Sequence, residues 1–543
     1  MCYYCLIKAV KSGKAPIQAQ AAVPLGFGLA NIKILILSGN YAMKYPIPQY
    51  AITVLNILAQ AGYEAYLAGG AVRDLLLKLP PGDFDITTSA TPEEISAVCR
   101  ANNIKTIDNL GQNFGCVVAV IDGVTAEITT FRGESYGADA HKPEKVWFSK
   151  SLREDLSRRD FTVNAMAMDI NGRIYDYHNG MEDLQNHILR TVGDAGQRYS
   201  EDALRMLRAC RFVAQLGFYY VQESGVLPPF GEENTPYYMP RNFSFPIGNC
   251  AGLSLERVRT ELDKLLTGKY AGKGLMLLMA TGLTDAKCRV KENGAYHEID
   301  ILPELRHLEG LPQNRRFHCY NAWEHTLKAV DNSPRDLTIR WAMLLHDLGK
   351  GMPGIRGTHP DGSPSDHGHE ALSAVMAQDV MTRLRYPKDF AKRVVWLVSR
   401  HMRFAPMMFT KERTLTRWVR AEAAGGEFRT SKDLTEAFSQ LKEVFLADMG
   451  ATHAGNNQQL MAEGRELADA VIEIARNKMP VHTADLAVNG ADLAQIITDG
   501  AETGTFLKYL LERVRSGNLP NERAALLEAA KHRQQKTSAK AEF

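Results

Sequence analysis

Asp83 and Asp85, in "GDFDITT", are two carboxylates separated by one residue, a spacing that can do chemistry. Side chains two apart on an extended strand point the same way, so both carboxylates would face one space. Paired carboxylates can hold one or two hard cations such as Mg²⁺, which bridge phosphate oxygens and activate an attacking hydroxyl. A third acid is expected on a neighbouring strand, and Glu127 in "TAEITTFR" is the best placed. These acids predict a magnesium-dependent phosphoryl-transfer site.

A glycine pair stands upstream of these acids, in "YLAGGAVRDLLLKL". Gly69 and Gly70 end an apolar strand and open a predicted helix, with Arg73 and Asp74 in its first turn. Without side chains, the backbone N–H groups can approach a triphosphate, and the helix start adds a favourable dipole. Taken singly, a glycine pair is more often a turn and Asp-x-Asp a solvated edge. Both together at this spacing favour a nucleotide site.

These residues require a small sheet to position them, and the patterns around them predict one. Apolar residues recur at helical spacing from Ile47 to Ala61, and a helix capped by Thr91 follows the acids. The predicted strands are "EAYLAGG", "DFDITT", "CVVAVIDG" and "TAEITTFR". After about Asp155 the pattern is largely helical, including a helix over "SEDALRMLRACRFVAQLG" with Ser200 as its N-cap. The predicted fold class is α+β, a small mixed β-sheet head followed by a mostly helical chain.

The composition is that of an ordinary soluble globular protein of several domains. The chain has 543 residues, 45% of them hydrophobic and 23% charged, with a formal net charge of +2. Its eight cysteines are scattered, which excludes a small disulfide scaffold. No apolar run reaches about 18 residues without charges, so no membrane partner is predicted. A reducing, cytoplasmic setting is the expectation.

The stretch "AGGAVRDLLLKLPPGDFDITTSATPEE" closely resembles the nucleotidyltransferase head of the bacterial CCA-adding enzymes, which bacterial poly(A) polymerases share. The resemblance covers most of the chain from about Met43. It implies addition of C, C and A to tRNA from CTP and ATP, with Mg²⁺ as cofactor. "REDLSRRDFTVNAMAMD" resembles the family's sugar motif and implies that Arg159, Asp160 and Asn164 lie near the ribose, where a contact to the 2′-OH identifies a ribonucleotide.

"EDALRMLRACRFVAQLGF" resembles the family's base-selecting motif. Asp202 and Arg205 would be i, i+3 neighbours on a helix, with Arg208 and Arg211 continuing an arginine row. A carboxylate accepts from an exocyclic amino group and a guanidinium donates to a ring nitrogen. Cytosine and adenine offer that pattern, whereas uracil and guanine offer a carbonyl and a ring N–H. Two mismatches of about 1–3 kcal/mol each would exclude UTP and GTP.

Two further segments resemble family motifs. "FRGESYGADAHKPEKVWFSKSLREDL" matches the flexible loop on which switching from C to A depends, and its full length disfavours a CC-adding relative. Family members often carry Asp-x-Arg-Arg where this chain has Asp139–Lys142, so a specialised A-adding enzyme stays open. "LSLERVRTEL" resembles the neck motif, with Glu256, Arg257 and Glu261 expected to stabilise the helices around the base template.

A second metal site is predicted downstream. An apolar helix ending in His-Asp, with a His upstream and an Asp far downstream, resembles the HD phosphohydrolase domain. The resemblance implies four primary ligands, namely His325, His346, Asp347 and Asp448. His369 and His401 would serve a second ion or a phosphate. Such ligands suit Ni, Mn, Co, Fe or Mg rather than a closed zinc site. Hydrolysis of phosphate esters at damaged tRNA ends, or a scaffold role, are both open.

RNA contacts are expected in the C-terminal half. Eleven lysines and arginines lie between Arg383 and Arg420 with only two acids, a density that favours contact with tRNA phosphates over a solvated helix face. The predicted organisation is residues 1–42 as an N-terminal extension, with disorder favoured, 43–185 as the head, 186–300 as a helical neck, 301–455 as the HD domain and 456–543 as a helical tRNA-binding tail. Residues 219–252 form an irregular insertion in the neck.

Two other functions remain open. A poly(A) polymerase shares the head, although the HD unit and the loop argue against it. A metal phosphohydrolase whose head only binds RNA would show hydrolysis without nucleotide transfer. The sequence does not predict an oligomeric state.

Overall fold

The computed structural model describes residues 33–36, 46–107, 115–135, 145–222, 225–226, 245–408, 412–497 and 500–541. A mixed sheet occupies the N-terminal part and helices dominate the rest, so the predicted α+β class is confirmed. Within those ranges, every helix is too short or too polar to cross a bilayer. Of the predicted N-terminal extension, the described part is Lys33–Ile36, an edge strand of the sheet.

The head sheet has eight strands among the described residues, in the order β1-β10-β9-β2-β3-β6-β5-β4. β3 and β6 are parallel, and the other neighbours are antiparallel. The strands are β1 (Lys33–Ile36), β2 (Ala65–Ala68), β3 (Ile86–Thr88), β4 (Lys105–Ile107), β5 (Cys116–Ile121), β6 (Val124–Thr130), β9 (Met166–Met168) and β10 (Arg173–Asp176). A separate hairpin joins β7 (Arg132–Ser135) to β8 (Lys145–Phe148).

The helices of the head follow the sequence patterns closely. They are α1 (Gln49–Gln60), α2 (Gly70–Leu76), α3 (Pro92–Ala101), α4 (Leu152–Ser157) and α5 (Gly180–Gln185). Most of the predicted apolar stripe of α1 is buried, namely Ala51, Val54, Leu55 and Leu58, whereas Ala59 is exposed. Thr91 caps α3 in a capping box with Glu94, which satisfies two backbone donors at the helix start. The sequence analysis missed β9 and β10, because short strands pair with distant partners that local patterns do not reveal.

The neck contains α6 (Ala195–Glu201), α7 (Leu204–Leu216), α8 (Leu255–Leu266) and α9 (Ala271–Ala280). The single helix predicted with Ser200 as N-cap is wrong, since Ser200 lies inside α6 and the chain is extended at Asp202 (φ −143°, ψ 105°). The Asp202 carboxylate accepts from the Leu204 N–H at 3.0 Å. This side chain therefore satisfies a donor at the start of α7 and divides the two helices.

Short strands interrupt the neck. β11 (Ile188–Leu189), β12 (Tyr219–Gln222) and β13 (Gly225–Val226) form one small sheet, and β14 (Lys287–Glu292) and β15 (Ala295–Asp300) form a hairpin. The predicted irregular insertion contains β12, β13 and a 3₁₀ turn at Ile247–Gly252. Its residues 223–224 and 227–244 lie outside the described residues.

The body and tail are helical. The body contains α10 (Ala322–Asn332), α11 (Leu337–Leu345), α12 (His369–Arg383), α13 (Lys388–Arg400), α14 (Glu412–Ala424), α15 (Ser431–Gly450) and α16 (Gln458–Lys478), with a short hairpin of β16 (Gly357–Thr358) and β17 (Pro364–Ser365). The tail contains α17 (Gly490–Ala494), α18 (Gly500–Arg515) and α19 (Arg523–Ala541). One buried hydrophobic cluster runs from Ala51 to Val481, and a separate one from Leu486 to Ala530 gives the tail its own core.

Candidate nucleotide and metal sites

A cavity of about 620 Å³ opens where the head meets the neck. Its volume suits a nucleotide-sized ligand. Its lining includes Gly69, Gly70, Arg73, Asp83, Asp85, Arg159, Asp160, Asn164, Asp202, Arg205, Arg208 and Arg211. Residues predicted from four separate motifs are thus brought to one space. Of the head site residues, Asp74 and Glu127 lie beside this lining rather than in it.

Gly69 makes the turn between β2 and α2. Its backbone is left-handed (φ 74°, ψ −131°), a conformation that L side chains rarely adopt. A Cβ at Gly69 would also stand 2.7 Å from Nη1 of Arg159, and its N–H donates to the Met166 carbonyl at 3.1 Å. The glycine therefore lets the turn approach both β9 and the Arg159 side chain, while Gly70 begins α2 at the cavity wall.

The two aspartates border the cavity just ahead of β3. They were predicted to lie within a strand, but β3 begins only at Ile86. Asp85 nevertheless continues the pairing, because its carbonyl accepts from the Ala68 N–H at 3.0 Å. The parallel register pairs Ile86 with Ile128, which sets Glu127 beside Asp85 on the next strand. Asp83 and Asp85 both line the cavity, ahead of β3 rather than within it, whereas Glu127 is exposed beside that lining.

Asp85 stands in a concentration of negative charge. Burial, followed by the charges of Asp83 and Glu127, raises the pKa of its carboxyl to about 6 against the opposing effect of Arg159. Like charges brought together in a half-buried place are stabilised by a cation bound between them. Carboxylate oxygens are the donors that Mg²⁺ prefers, so this acid set fits the predicted ion.

The sugar-motif residues form a buried network with the base motif. Asp160 accepts from Nε and Nη2 of Arg208 at 2.8 and 2.6 Å, and from the Asn164 amide at 3.2 Å. Asn164 in turn accepts from Arg73 at 2.6 Å, and Arg73 pairs with Asp74. Burial opposes ionisation of Asp160, but Arg208 outweighs it and lowers the pKa of this carboxyl to about 2. The network holds one wall of the cavity.

The side chains of Asp202 and Arg205 pair with different partners, although the Arg205 backbone N–H donates to the Asp202 carbonyl at 3.0 Å. Because Asp202 lies outside α7, the predicted i, i+3 arrangement with Arg205 on one helix is wrong. Asp202 pairs with Arg257 at 3.2 Å, and Arg205 pairs with Glu201 at 2.6 Å. Both line the same cavity all the same. The carboxylate and the guanidinium are therefore positioned by separate partners.

The predicted neck motif lies on α8 and contacts the base motif. Arg211 pairs with Glu261 of α8 at 2.5 Å, and Asp202 pairs with Arg257 of the same helix, so two of the three expected neck residues hold base-motif side chains. Glu256 lies in the first turn of α8. The loop residues Asp139–Lys142 lie outside the described residues.

Sequence analysis missed several residues of the lining. They are Arg132, Glu134, Arg158, Leu204, Phe212 and Lys264. Glu134 bridges Arg132 and Arg158 at 2.8 and 3.1 Å. The arginine at 158 stood next to a predicted site residue in "SRRD", which was the available signal. Glu134 and Arg132 lie in the segment predicted to be the flexible loop, but their place in the lining was not predicted, because a hairpin outside the main sheet brings them there.

The Asp160–Arg208 pair predicts a pH-dependent stability. Arg208→Ala is expected to destabilise the head by about 3–5 kcal/mol at pH 7, because it leaves a buried carboxylate without its partner. The pKa of Asp160 is about 2 in the fold and about 3.9 when unfolded. The pair therefore stabilises the protein above about pH 4, and this contribution is lost as the pH falls through 2.

Thermal unfolding followed by circular dichroism tests this. The melting temperature of Arg208→Ala should lie well below that of the wild type at pH 7, and the gap should shrink below about pH 4. Arg429→Ala breaks an exposed pair with Asp389 and should cost less than about 1 kcal/mol. If the melting temperature of Arg208→Ala lies equally far below that of the wild type at pH 7 and below about pH 4, the stabilising role of the Asp160–Arg208 ion pair is contradicted.

The six predicted HD residues converge on one buried centre. In the described part of the chain, two groups of three side chains bring ligand atoms within 4.8 Å of one another, namely His325, His346 and Asp448, and Asp347, His369 and His401. Asp347 joins them, with Oδ2 at 3.2 Å from Nε2 of His346 and Oδ1 at 3.1 Å from Nε2 of His369. The four primary and two additional ligands of the sequence analysis are thus in one place.

The histidines are oriented to bind a cation. Nδ1 of each one faces a backbone carbonyl at 2.6–3.2 Å, those of Ala451, Met343, Asp366 and Val398. A carbonyl can only accept, so Nδ1 carries the proton and Nε2 presents a lone pair. Nε2 atoms of His325 and His346 stand 3.3 Å apart, and those of His369 and His401 stand 3.2 Å apart. Facing lone pairs repel unless a cation lies between them, so these residues fit a metal.

The surrounding charges agree with this. Burial opposes ionisation of Asp347, but neighbouring positive charge, including the Lys350 ammonium, holds the pKa of its carboxyl well below the usual range. Burial, followed by the neighbouring His346 and His369 side chains, lowers the pKa of His401 to about 3 against the opposing effects of Asp448 and Asp347. Two carboxylates and one ammonium, Lys350 at 2.8 Å from Asp347, leave the centre short of positive charge. A cavity of about 470 Å³ gives access to it.

Several arginines of the basic segment from 383 to 420 are paired with acidic side chains, so fewer of them than the composition suggested can contact RNA. Acidic side chains pair with Arg383, Arg385, Arg393 and Arg400. These arginines hold the body together, whereas Lys388, Lys392, Arg403 and Arg417 are exposed. The side chains of Lys411 and Arg413 lie outside the described residues. Any contact with phosphates therefore depends on fewer side chains than the sequence count.

Three family models match the chain. They are the Poly A polymerase head domain over residues 65–190, the probable RNA- and SrmB-binding site of polymerase A over 247–286, and the HD domain over 315–443. The first two contain the glycine turn, the acids and α8. The third contains five of the six metal-centre residues, with Asp448 just beyond its end.

Curated relatives and a solved structure decide the family. The chain is 46% identical to a CCA-adding enzyme of Geobacillus sp. (strain WCH70) over 44% of its own length and 54% of the relative's. It is 44% identical to the CCA-adding enzyme of Geobacillus thermodenitrificans (strain NG80-2), over 54% of this chain and 70% of that one. The chain belongs to the family of CCA-adding enzymes. A crystal structure of the Bacillus stearothermophilus CCA-adding enzyme in complex with CTP matches with 28% identity and a TM-score of 0.56, covering 90% of this chain and 98% of that one. The resemblance to CCA-adding enzymes is confirmed.

Proposed function

We propose that this chain adds C, C and A to the 3′ end of tRNA from CTP and ATP, without a nucleic-acid template. The observation that carries the proposal is the single cavity, in which the glycine turn, the acids, the sugar motif and the base motif meet. Membership of the CCA-adding family supports it. The relative solved with CTP has the same fold.

The residues have separate tasks in this reaction. The terminal 3′-OH of tRNA attacks the α-phosphate, a new P–O bond forms, and the bond to the β-phosphate breaks to release pyrophosphate. The start of α2 after Gly69 offers backbone N–H groups to the triphosphate. Mg²⁺ held by Asp83 and Asp85 would neutralise phosphate charge and lower the pKa of the attacking hydroxyl. Glu127 adds to the negative potential that attracts the ion.

Base selection follows from the neck. Asp202 offers an acceptor and Arg205 a donor, which match the pairing edges of cytosine and adenine. Their partners support the proposal because Arg257 holds Asp202 and Glu201 holds Arg205. Asp160 and Asn164 line the same cavity and would lie near the ribose. Uracil and guanine would leave buried groups unpaired.

The HD centre supports a second activity, metal-dependent hydrolysis of phosphate esters at tRNA 3′ ends. The two groups of ligands joined by Asp347 suit two ions from the set Mn, Fe, Co and Ni. Lys350 beside Asp347 offers a positive charge for a phosphate oxygen. Such an activity would prepare damaged ends for nucleotide addition by the head.

The proposed domain organisation keeps the head, neck, HD body and tRNA-binding tail in the order given above. The separate core supports a distinct unit there that begins near Leu486 rather than at residue 456, because α16 packs into the main cluster. A cytoplasmic location agrees with the free thiols of all six described cysteines.

One experiment tests the function and its alternatives. tRNA lacking CCA, tRNA lacking only A, and intact tRNA are incubated with each labelled nucleoside triphosphate and with mixtures. We expect C and then A to be incorporated, with extension stopping at three nucleotides. Addition of A alone to CC-ending tRNA would indicate an A-adding enzyme, and long products with ATP a poly(A) polymerase. Hydrolysis of 2′,3′-cyclic phosphates without transfer would leave the phosphohydrolase alternative.

A further inference from the structure

One face of α8 borders the nucleotide cavity. Arg257, Glu261 and Lys264 follow one another at four and three residues, so they lie along one side of the helix. Arg257 holds Asp202, Glu261 holds Arg211, and Lys264 lines the cavity. The position of this helix therefore sets where two base-motif side chains stand.

The opposite face of α8 is held by the HD body. Oδ1 of Asp263 accepts from the indole Nε1–H of Trp341 at 3.1 Å and from the Tyr386 hydroxyl. The Arg259 guanidinium lies 5.2 Å from the centre of the Tyr386 ring and donates to the Arg385 carbonyl at 2.6 Å. Trp341 and Tyr386 also contact each other edge to face at 5.3 Å. We call Asp263, Trp341 and Tyr386 the clamp.

The clamp is suited to fixing the orientation of α8 relative to the HD body. Trp341 is fully buried on α11, and Tyr386 lies in the turn between α12 and α13, so two body elements bind one carboxylate. Hydrogen bonds to an ionised acceptor are strong and directional, more so away from water. Two donors on one oxygen restrict rotation of α8 about its axis as well as its distance from the body. A hydrophobic contact alone would leave that rotation less defined.

We propose that Asp263 is a positioning residue for nucleotide selection, acting through α8 on Asp202 and Arg211. The proposal rests on the proposed function of the cavity. When the clamp is lost, α8 can rotate or shift, and Arg257 and Glu261 move with it. A displacement of about 1 Å at such a site is enough to change reaction rates by about a hundredfold. The HD body thereby contributes to the accuracy of the head, apart from any hydrolysis that it carries out.

Asp263→Ala and Asp263→Asn test the proposal. With tRNA lacking CCA for CTP and tRNA lacking only A for ATP, kcat/KM is measured for each of the four nucleoside triphosphates on both substrates. Incorporation of UTP and GTP relative to CTP and ATP should rise about tenfold in Asp263→Ala, because mismatched bases are no longer held against fixed partners. Asp263→Asn should show a smaller rise, since its amide oxygen still accepts. KM for CTP and ATP should increase more than kcat decreases.

Asp331→Asn is the matched control. Asp331 accepts from the Gly272 N–H of α9 at 2.8 Å, another contact between neck and body, and no residue of α9 lines the cavity. Its discrimination should equal that of the wild type. A lower melting temperature of Asp263→Ala with unchanged discrimination would reduce the clamp to packing and overturn the proposal. Equal loss of accuracy in Asp331→Asn would do the same.

Equilibrium binding of the four nucleoside triphosphates without tRNA, compared with nucleotide transfer, distinguishes failure of the proposed function from failure of the clamp proposal. If the wild type transfers no nucleotide, the proposed function fails whatever the variants do. If the wild type transfers C and A, and Asp263→Ala retains its preference in both binding and transfer, only the clamp proposal fails.

Discussion

Asp85→Ala is expected to reduce nucleotide addition by about a thousandfold or more while leaving tRNA binding nearly intact. A ligand of the catalytic ion contributes several kcal/mol to the transition state, and each 1.36 kcal/mol is a tenfold change in rate. Asp85 is half-buried at the cavity wall, next to Asp83 and opposite Glu127. The tail and body surfaces that would bind tRNA lie elsewhere, so affinity for tRNA should change little.

Single-turnover incorporation of labelled CTP, together with a filter-binding measurement of tRNA affinity, checks this. Asp122→Asn is the matched control, because Asp122 is an exposed acid in the turn between β5 and β6. Its backbone is left-handed (φ 50°), which asparagine also adopts readily. The control should retain wild-type rates. Undiminished incorporation by Asp85→Ala would rule out the assigned acid site.

Asp347→Asn is expected to weaken metal binding at the HD centre by at least about a hundredfold and to abolish phosphate-ester hydrolysis there. Asp347 faces both groups of imidazoles, so its charge contributes to each ion. Loss of a supporting partner alone typically costs 10–100-fold in metal affinity, and loss of a ligand costs more. Nucleotide addition by the head should persist, since Asp347 lies outside the nucleotide cavity.

Metal content after dialysis, and hydrolysis of a 2′,3′-cyclic nucleotide with added Mn, Co or Ni, check this second prediction. His367→Gln is the control, because His367 lines the same cavity but belongs to neither group of ligands. Treatment of the wild type with a chelator should reproduce the loss and lower the melting temperature, which gives a readout independent of the substitution. Unchanged metal content in Asp347→Asn would show that the convergent side chains serve packing alone.

Much of the architecture could be predicted because its signals are local. The apolar spacing of α1 and the Thr91 cap of α3 involve residues within one or two turns, where the helical period determines which side chains are buried. The spacing of Asp83 and Asp85 indicated one shared direction for the same reason. The division of the helix at Asp202 was not predicted. The Asp202 carboxylate accepts from the backbone N–H two residues later, which competes with continuation of the helix. Composition alone does not decide that competition.

The site as a whole depends on distances that no local pattern contains. The sequence by itself determined the types of residue: acids for a hard cation, glycines for a phosphate, and imidazoles for a transition metal. Only the tertiary structure decided their partners, such as Arg208 for Asp160, Arg257 for Asp202, and Trp341 for Asp263. These pairs are separated by tens of residues along the chain. Their meeting depends on how the sheet pairs and how the helices cross, because side chains find partners through the packing of whole elements.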